Sequence, residues 1–517
     1  MVAKINNIWT KLIGTSQSEL NGGLAVGSDG SIYISGSTEG DLDGQTHNGG
    51  TTDLFISKFD SNGIKKWTKL VGNTDNEKIA GAGLAIGSDD SIYIAGITNP
   101  VLSAPGNQGT FISKFNPDGT QKWLIHYGLS EYEEGFDLIV GSDNSLYFTG
   151  YTYGDLDNQL NNGSRDAFIR KINAADGSII WTRLIGSSEE DWGNKSTIAV
   201  DGSIYITGLT KGNLDNQTNN GDWDTFLTKF NPDGTKQWTK VFGTSKRDRG
   251  IGIATDTNGS IYITGATYGD LDGEKNNGTE DAFLTKFNPD GTKQWTKILG
   301  TSSIDLGIGV TIGLDDSIYI SGYTAGNLDN QTNSIGTGDL FVSKFDSYGT
   351  KKWTQLIGAQ NPTNIELSIS ENGTLYISGD TSGGLNGQSN SGNQDAFIAK
   401  FSEVNDSEGI TINGTELNDT LNGTSKNDTI NGLGGNDIIT GDSGDDLIDG
   451  GSGSDTAIYS GKFADYSFTR STNSIQIVDQ RITTNDGRDT LSNIEYIQFS
   501  DQTIDELKVD VFKNYTE

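Results

Sequence analysis

"GIGIATDTNGSIYITGATYGDLDGEKNNGTEDAFLTKFNPDGTKQWTKILG" (residues 250–300) reads as four short strands. "GIGIATD" turns at "TNG" into "SIYITGAT", a long polar loop follows, and "DAFLTKF" turns at "NPDG" into "TKQWTKILG". Apolar residues alternate within the runs, and Asn, Asp, Gly and Pro fill the turns because they adopt or cap turn conformations cheaply. The stretch predicts a four-stranded antiparallel meander.

Working outward, the Trp-to-Gly strand recurs as "WTKLIG", "WTKLVG", "WLIHYG", "WTRLIG", "WTKVFG", "WTKILG" and "WTQLIG", with Trp9, Trp67, Trp123, Trp181, Trp238, Trp295 and Trp353 spaced 56–58 residues apart. A period this constant means one supersecondary unit copied many times. Four-stranded units repeated radially are propeller blades. The array opens on a lone fourth strand, "IWTKLIG" (8–14), and ends on a unit that stops after its third strand, "DAFIAKF" (395–401). The first strand should therefore complete the last blade, giving an all-β, seven-bladed β-propeller over residues 1–403 whose edges are paired shut.

"DGSIYISG", "DAFLTKFNPDGTKQW" and "WTKILG" resemble the SBBP family of β-propeller repeats over roughly residues 8–401. The resemblance implies architecture and says little about activity. The long loops fall on one face, and six of them look alike, as in "GDLDNQLNNGS" (154–164); the second blade departs with "NPVLSAPGNQG" (99–109). Alternating oxygens such as Asp155, Asp157, Gln159 and Asn161 have the look of a calcium loop, but Asp and Asn capping their own turns is the simpler reading. The Tyr residues that recur in every second strand, Tyr33 to Tyr376, read as packing between blades. Trp192 and Trp223 stand off the pattern, beside Glu189, Glu190, Asp191, Asp222 and Asp224, and mark the first place to look for a carbohydrate.

With 36 Lys+Arg against 69 Asp+Glu, the 517-residue chain carries a formal charge of −33, which disfavours nucleic acid and anionic membranes as partners and favours divalent cations. Its 9 Trp, 20 Phe and 18 Tyr supply core material, and the absence of Cys excludes disulfides and zinc–thiolate sites. The opening "MVAKINNIWTKLIGTSQ" lacks the apolar run of a Sec signal peptide, and no stretch reaches the length of a membrane span. Only His47 and His126 are present, so histidine-based triads lack material; "GDSGD" (441–445) resembles a nucleophile motif with no evident histidine partner. A two-carboxylate glycosidase stays open as an alternative.

The chain changes character after residue 403: a linker over 404–410, then five nonapeptides, "GTELNDTLN", "GTSKNDTIN", "GLGGNDIIT", "GDSGDDLID" and "GGSGSDTAI". Asp419, Asp428, Asp437, Asp446 and Asp455 stand nine apart, followed two residues on by Leu421, Ile430, Ile439, Ile448 and Ala457. Nine residues hold one tight turn and one very short strand, so two units make one turn of a parallel β-roll, with aliphatic residues stacked inward. Stacked turns bring the Asp residues of alternate units together. Residues 411–458 carry nine acidic residues and one basic, so the stack calls for a dication.

This region resembles the haemolysin-type (RTX) calcium-binding repeats, GGxGxDxUx, over roughly 411–504. The resemblance implies Ca2+ ligation through the pairs Asp419/Asp437, Asp428/Asp446 and Asp437/Asp455, with turn glycines Gly432, Gly435, Gly441, Gly444, Gly450, Gly451 and Gly453. Leu417 and Lys426 replace the fourth-position glycine of the first two units. It also implies a β cap and secretion signal over 459–517, partnership with a type I secretion machinery, and an extracellular location. The reading reached is a secreted, calcium-binding, non-enzymatic propeller that binds extracellular carbohydrate or protein, or acts as a scaffold; the alternative is a polysaccharide hydrolase or lyase working at the long-loop face.

Overall fold

A computed structural model describes residues 5–48, 50–72, 76–78, 83–99, 109–127, 132–329, 331–333, 338–370, 373–403, 409–481 and 486–506. The chain divides into two compact units, Ile5–Ser402 and the residues from Glu403 onward.

The first unit is a seven-bladed propeller of four-stranded antiparallel blades. Blade 5 comprises Asp248–Thr255, Ile261–Thr267, Asp281–Phe287 and Lys293–Leu299, in that spatial order. Blade 7 combines Thr363–Ile369, Leu375–Thr381 and Asp395–Glu403 with Ile5–Ile13 from the start of the chain, which pairs with Asp395–Glu403. First strands touch from blade to blade around the ring, including the last with the first. In blade 2, Asn76–Lys78 and Leu84–Ile86 both pair with Ile92–Asn99 in the place of the first strand. Most of its divergent loop lies outside the described residues.

Alternation in the sequence understates burial. Ile261–Thr267 is buried at every position because both faces of a blade pack on neighbours, whereas the first and outer strands of the blade also carry partly exposed positions. Seven apolar clusters result, one at each junction between blades. The cluster that joins blade 7 to blade 1 contains Ile13, Ile34, Phe55, Phe59, Tyr376 and Ile398. Each recurrent Tyr meets the Trp of its own blade, as in Tyr262 and Trp295 with ring centres 6.2 Å apart. The Trp in turn docks on the "DG" turn of the next blade: a Cβ on Gly291, at φ +81°, would lie 3.2 Å from the Trp238 ring, so glycine serves both the turn and the contact. Across the axis, Lys195 of blade 4 reaches Glu366 of blade 7 at 2.7 Å, with Asp137 of blade 3 at 3.9 Å. Burial, with Glu366 close by, pushes Asp137 up to about 6.

In the second unit, three-residue strands form two parallel sheets. Thr411–Asn413, Thr429–Asn431 and Leu447–Asp449 make one; Thr420–Asn422, Ile438–Thr440 and Thr456–Ile458 make the other. Alternate nonapeptides thus stack 18 residues apart, with Ile430, Ile439, Ile448 and Ala457 at most 1% exposed between the sheets. The segment beyond 458 adds to the same sheets: Arg488–Ser492 extends the first and Tyr496–Gln498 the second, with the hairpin Tyr466–Arg470/Ile475–Asp479 inserted before them. Among the described residues no helix is long and apolar enough to cross a membrane.

Candidate calcium site

The turns of the roll line two edges, and on each the aligned acids form a ladder. On one edge, Asp437 Oδ1 accepts the backbone N–H of Asp419, Asp455 Oδ1 that of Asp437, and Glu495 Oε2 that of Asp455, each at 2.8 Å. On the other, Asp446 Oδ1 accepts from Asp428 at 2.7 Å and Asp489 Oδ1 from Asp446 at 2.9 Å. Asp489 and Glu495 escape the nine-residue count because the inserted hairpin breaks the spacing. One signal was present: "GRD" (487–489) repeats the Gly-x-Asp of Gly435/Asp437, Gly444/Asp446 and Gly453/Asp455.

The other carboxylate oxygen divides the turns into two kinds. In the first two units, Thr415 and Thr424 donate backbone N–H and hydroxyl to Oδ2 of Asp419 and Asp428. In the next three, Leu433, Asp442 and Gly451 occupy that position at φ of 73°, 73° and 89°. There Oδ2 of Asp437, Asp446 and Asp455 has no hydrogen-bond partner, although the residues are only 0–2% exposed. A Cβ on Gly432 or Gly441 would lie 2.4 or 2.3 Å from these oxygens, and one on Gly453 would lie 1.6 Å from the carbonyl of Gly435. The turns therefore stack closely only without side chains at those points.

Of the expected pairs, Asp437/Asp455 brings together two acids with unpartnered oxygens. Asp419/Asp437 and Asp428/Asp446 each bring one such acid and one engaged by threonine. Burial, and then repulsion from Asp428, Asp442 and Asp445, pushes Asp446 up to about 7. Burial and the facing Asp437, Glu495 and Asp449 raise Asp455, and Asp489 is pushed up to about 8 chiefly by burial. Buried acceptor-only oxygens in mutual repulsion fit a hard, oxygen-seeking dication. Among the described residues no three His, Cys, Asp or Glu side chains gather at one point, so such an ion would depend on backbone carbonyls and water as well.

On the propeller's long-loop face the loop acids are engaged locally. Asp155 accepts the N–H of Asn161 at 2.9 Å, Asp43 pairs with Lys65 at 2.5 Å, and Asp215 pairs with Lys236 at 2.6 Å. Trp192 and Trp223 do meet, edge to face at 5.7 Å, and Tyr151 stacks on Trp192 at 5.3 Å. The Arg165 guanidinium lies 4.6–5.3 Å from the rings of Tyr151, Tyr153 and Trp192 and 3.4 Å from Glu190. Asp191 and Asp224, which stand beside Trp192 and Trp223 in the sequence, are buried.

A model of the RTX calcium-binding nonapeptide repeat matches residues 413–448 and 422–457, and one of the SBBP beta-propeller repeat matches 237–272. The regulatory protein FlaEY of Caulobacter vibrioides is 24% identical over 400 residues, covering 67% of this chain and 41% of that protein. An uncharacterized WD repeat-containing protein, L264, of Acanthamoeba polyphaga mimivirus is 24% identical over 249 residues, 39% of this chain and 18% of its own length. This chain thus spans less than half the length of either relative. The crystal structure of polysaccharide lyase Uly1 is similar at a TM-score of 0.44 and 12% identity, over 74% of this chain and 89% of that one. The chain is a calcium-binding β-propeller protein in which SBBP-type propeller repeats precede RTX calcium-binding nonapeptide repeats.

Proposed function

We propose that this chain is an extracellular binding or scaffold module, exported through a type I channel with residues 411–506 unfolded and locked into the roll by external calcium. Asp437, Asp446 and Asp455, with Asp419 and Asp428, are the side-chain ligands of this reading. Gly432, Gly435, Gly441, Gly444, Gly450, Gly451 and Gly453 let the turns close on the ion. The observation that carries it is the set of three buried, unpartnered Oδ2 atoms on consecutive units. Without metal their repulsion opposes a core whose repeat ladder is only five aliphatic residues deep; with metal, binding free energy becomes folding free energy. The aromatic patch around Trp192, Trp223 and Arg165 supports carbohydrate as the propeller's ligand, because sugars stack on aromatic faces and hydrogen-bond to charged rims. The loop acids Asp43 and Asp215 are ion-paired with Lys65 and Lys236 of the outer strands and Asp155 caps its own loop, which favours binding over hydrolysis. The test is secretion from a host with and without a type I exporter. Exporter-dependent release of full-length protein, protease-resistant through the roll only in calcium medium, is expected. Release that ignores the exporter, or a roll equally resistant in chelator, would overturn the reading.

A further inference from the structure

The propeller repeats a second arrangement of acids, remote in sequence from the nonapeptides. An Asp opens the third strand of one blade and another opens the first strand of the next: Asp166 with Asp191, Asp224 with Asp248, and Asp281 with Asp305. All six are at most 1% exposed. Each uses Oδ2 to cap a local turn, accepting the N–H of Asn162, Ser187, Asn220, Thr244, Asn277 or Thr301 at 2.6–2.9 Å. Oδ1 of all six has no hydrogen-bond partner.

The two acids of a junction face each other. A Cβ on Gly243 would lie 2.3 Å from Asp224 Oδ1 and 2.9 Å from Asp248 Oδ2, so both carboxylates crowd the same glycine. The hydroxyls of Thr210, Thr267 and Thr324 adjoin the second acid of each pair; each donates to the carbonyl of Gly212, Gly269 or Gly326 and accepts the N–H of that glycine. Burial, and to a lesser degree the facing acid, pushes Asp166 and Asp224 up to about 6. Facing carboxylates in a dry interior call for a counter-charge or a shared proton.

Blade 3 shows the same junction with that charge supplied by the chain. Glu133 holds the position of Asp191, and Arg170, 1% exposed, donates to both of its oxygens at 2.7 and 3.0 Å. The position facing it from blade 2, the first of the third strand, is Gly109 rather than an Asp. In blades 4 and 5 the place of Arg170 is taken by Thr228 and Thr285, and the second acid is present. Among these four junctions, the one with the guanidinium has one acid and the three without it have two; between blades 6 and 7, where Ala399 takes the place of Arg170, Asp339 stands opposite Thr363.

We propose that the junctions between blades 3 and 4, 4 and 5, and 5 and 6 each bind one calcium ion, held by Asp166 with Asp191, Asp224 with Asp248, and Asp281 with Asp305. These sites are independent of the roll, and they add to the apolar contacts, strand-end hydrogen bonds and side-chain bonds, such as Ser196 to Asp137 and Lys229 to the Pro289 carbonyl, that already join these blades. The probe is terbium, a luminescent calcium substitute, added to the full-length chain and excited through tryptophan. All nine Trp precede residue 354, so the roll contains none, whereas Trp192 and Trp223 adjoin Asp191 and Asp224 in sequence. Saturable emission, displaced by excess calcium and reduced at least two-fold in Asp191→Asn/Asp224→Asn, is expected. Trp192→Phe/Trp223→Phe, which keeps every acid, should lose a similar share and decides the matter if the Asn variant misfolds. Absence of emission from the folded protein, or emission unchanged in the Trp192→Phe/Trp223→Phe variant, would overturn the proposal and point to a shared proton.

Discussion

Asp446 accepts the backbone N–H of Asp428, 18 residues earlier, on one carboxylate oxygen at 2.7 Å and keeps the other buried without a donor. The same side chain thus registers one turn on another and presents charge that the protein itself leaves unbalanced. That combination is why the roll is expected to need an ion rather than merely tolerate one.

The two kinds of turn should separate in mutagenesis. Asp437→Ala removes the acceptor of the Asp419 N–H together with an unpartnered oxygen, whereas Oδ2 of Asp419 is already spent on Thr415. Asp437→Ala should raise the calcium midpoint of roll folding about ten-fold or more and cost about 1–3 kcal/mol from the stranded backbone donor alone. Asp419→Ala should shift the midpoint less. Calcium titrations followed by circular dichroism measure both.

Arg170 is a test of buried charge. Its loss leaves Glu133, at 0% exposure, without a counter-ion, which should destabilise the propeller by about 3–5 kcal/mol. Arg170 also pairs with the loop acid Asp157 at 3.0 Å, an acid that blade 4 balances differently: Thr228 and Lys236 stand where blade 3 has Arg170 and Ile179, and Lys236 pairs with Asp215. Arg170→Thr combined with Ile179→Lys should therefore recover part of the loss suffered by Arg170→Thr alone, read as thermal midpoints.

Closure of the ring predicts that the start of the chain matters far from its own position. Deleting residues 1–14 strips the outer strand from blade 7 and exposes the edge of Asp395–Glu403. The truncated chain should unfold at a lower temperature and self-associate through that edge, as light scattering would show.

Asp380 supplies a pH signature. Burial pushes it up to about 7 despite hydrogen bonds from the Asn21 N–H, the Thr363 hydroxyl and the Asn364 amide. An acid whose folded pKa lies above its unfolded value, near 4, gives up stability as pH rises from about 4 to about 7. The stability of the native chain relative to Asp380→Asn should therefore decline across that window and level off above it. A flat difference from pH 4 to 8 would show that Asp380 is ionised throughout.

Much of this was legible in the chain. The Trp period and the unmatched strands at its two ends decide the blade count and the closure, and the nine-residue Asp period with its aliphatic slot decides the roll. What stayed hidden depends on contacts between units. "DAF" reads as the start of a strand and "EED" as a neighbour of Trp192; that Asp166 and Asp191 are both buried where their blades meet follows only from packing one blade on the next. Asp489 and Glu495 continue the ladder after a hairpin that interrupts the period. Leu417 and Lys426 marked the first two turns as different, but the threonine bonds that satisfy Asp419 and Asp428 required the turn geometry.

Region-resolved amide hydrogen exchange of the full-length protein, in millimolar calcium and in chelator, tests the central claim most directly. The account predicts that amides over 411–458, including those of Asp428, Asp437 and Asp446, are strongly protected with calcium and exchange as unstructured chain without it, while the apolar core strands of the propeller stay protected in both. Equal protection of 411–458 in chelator and in calcium would contradict it.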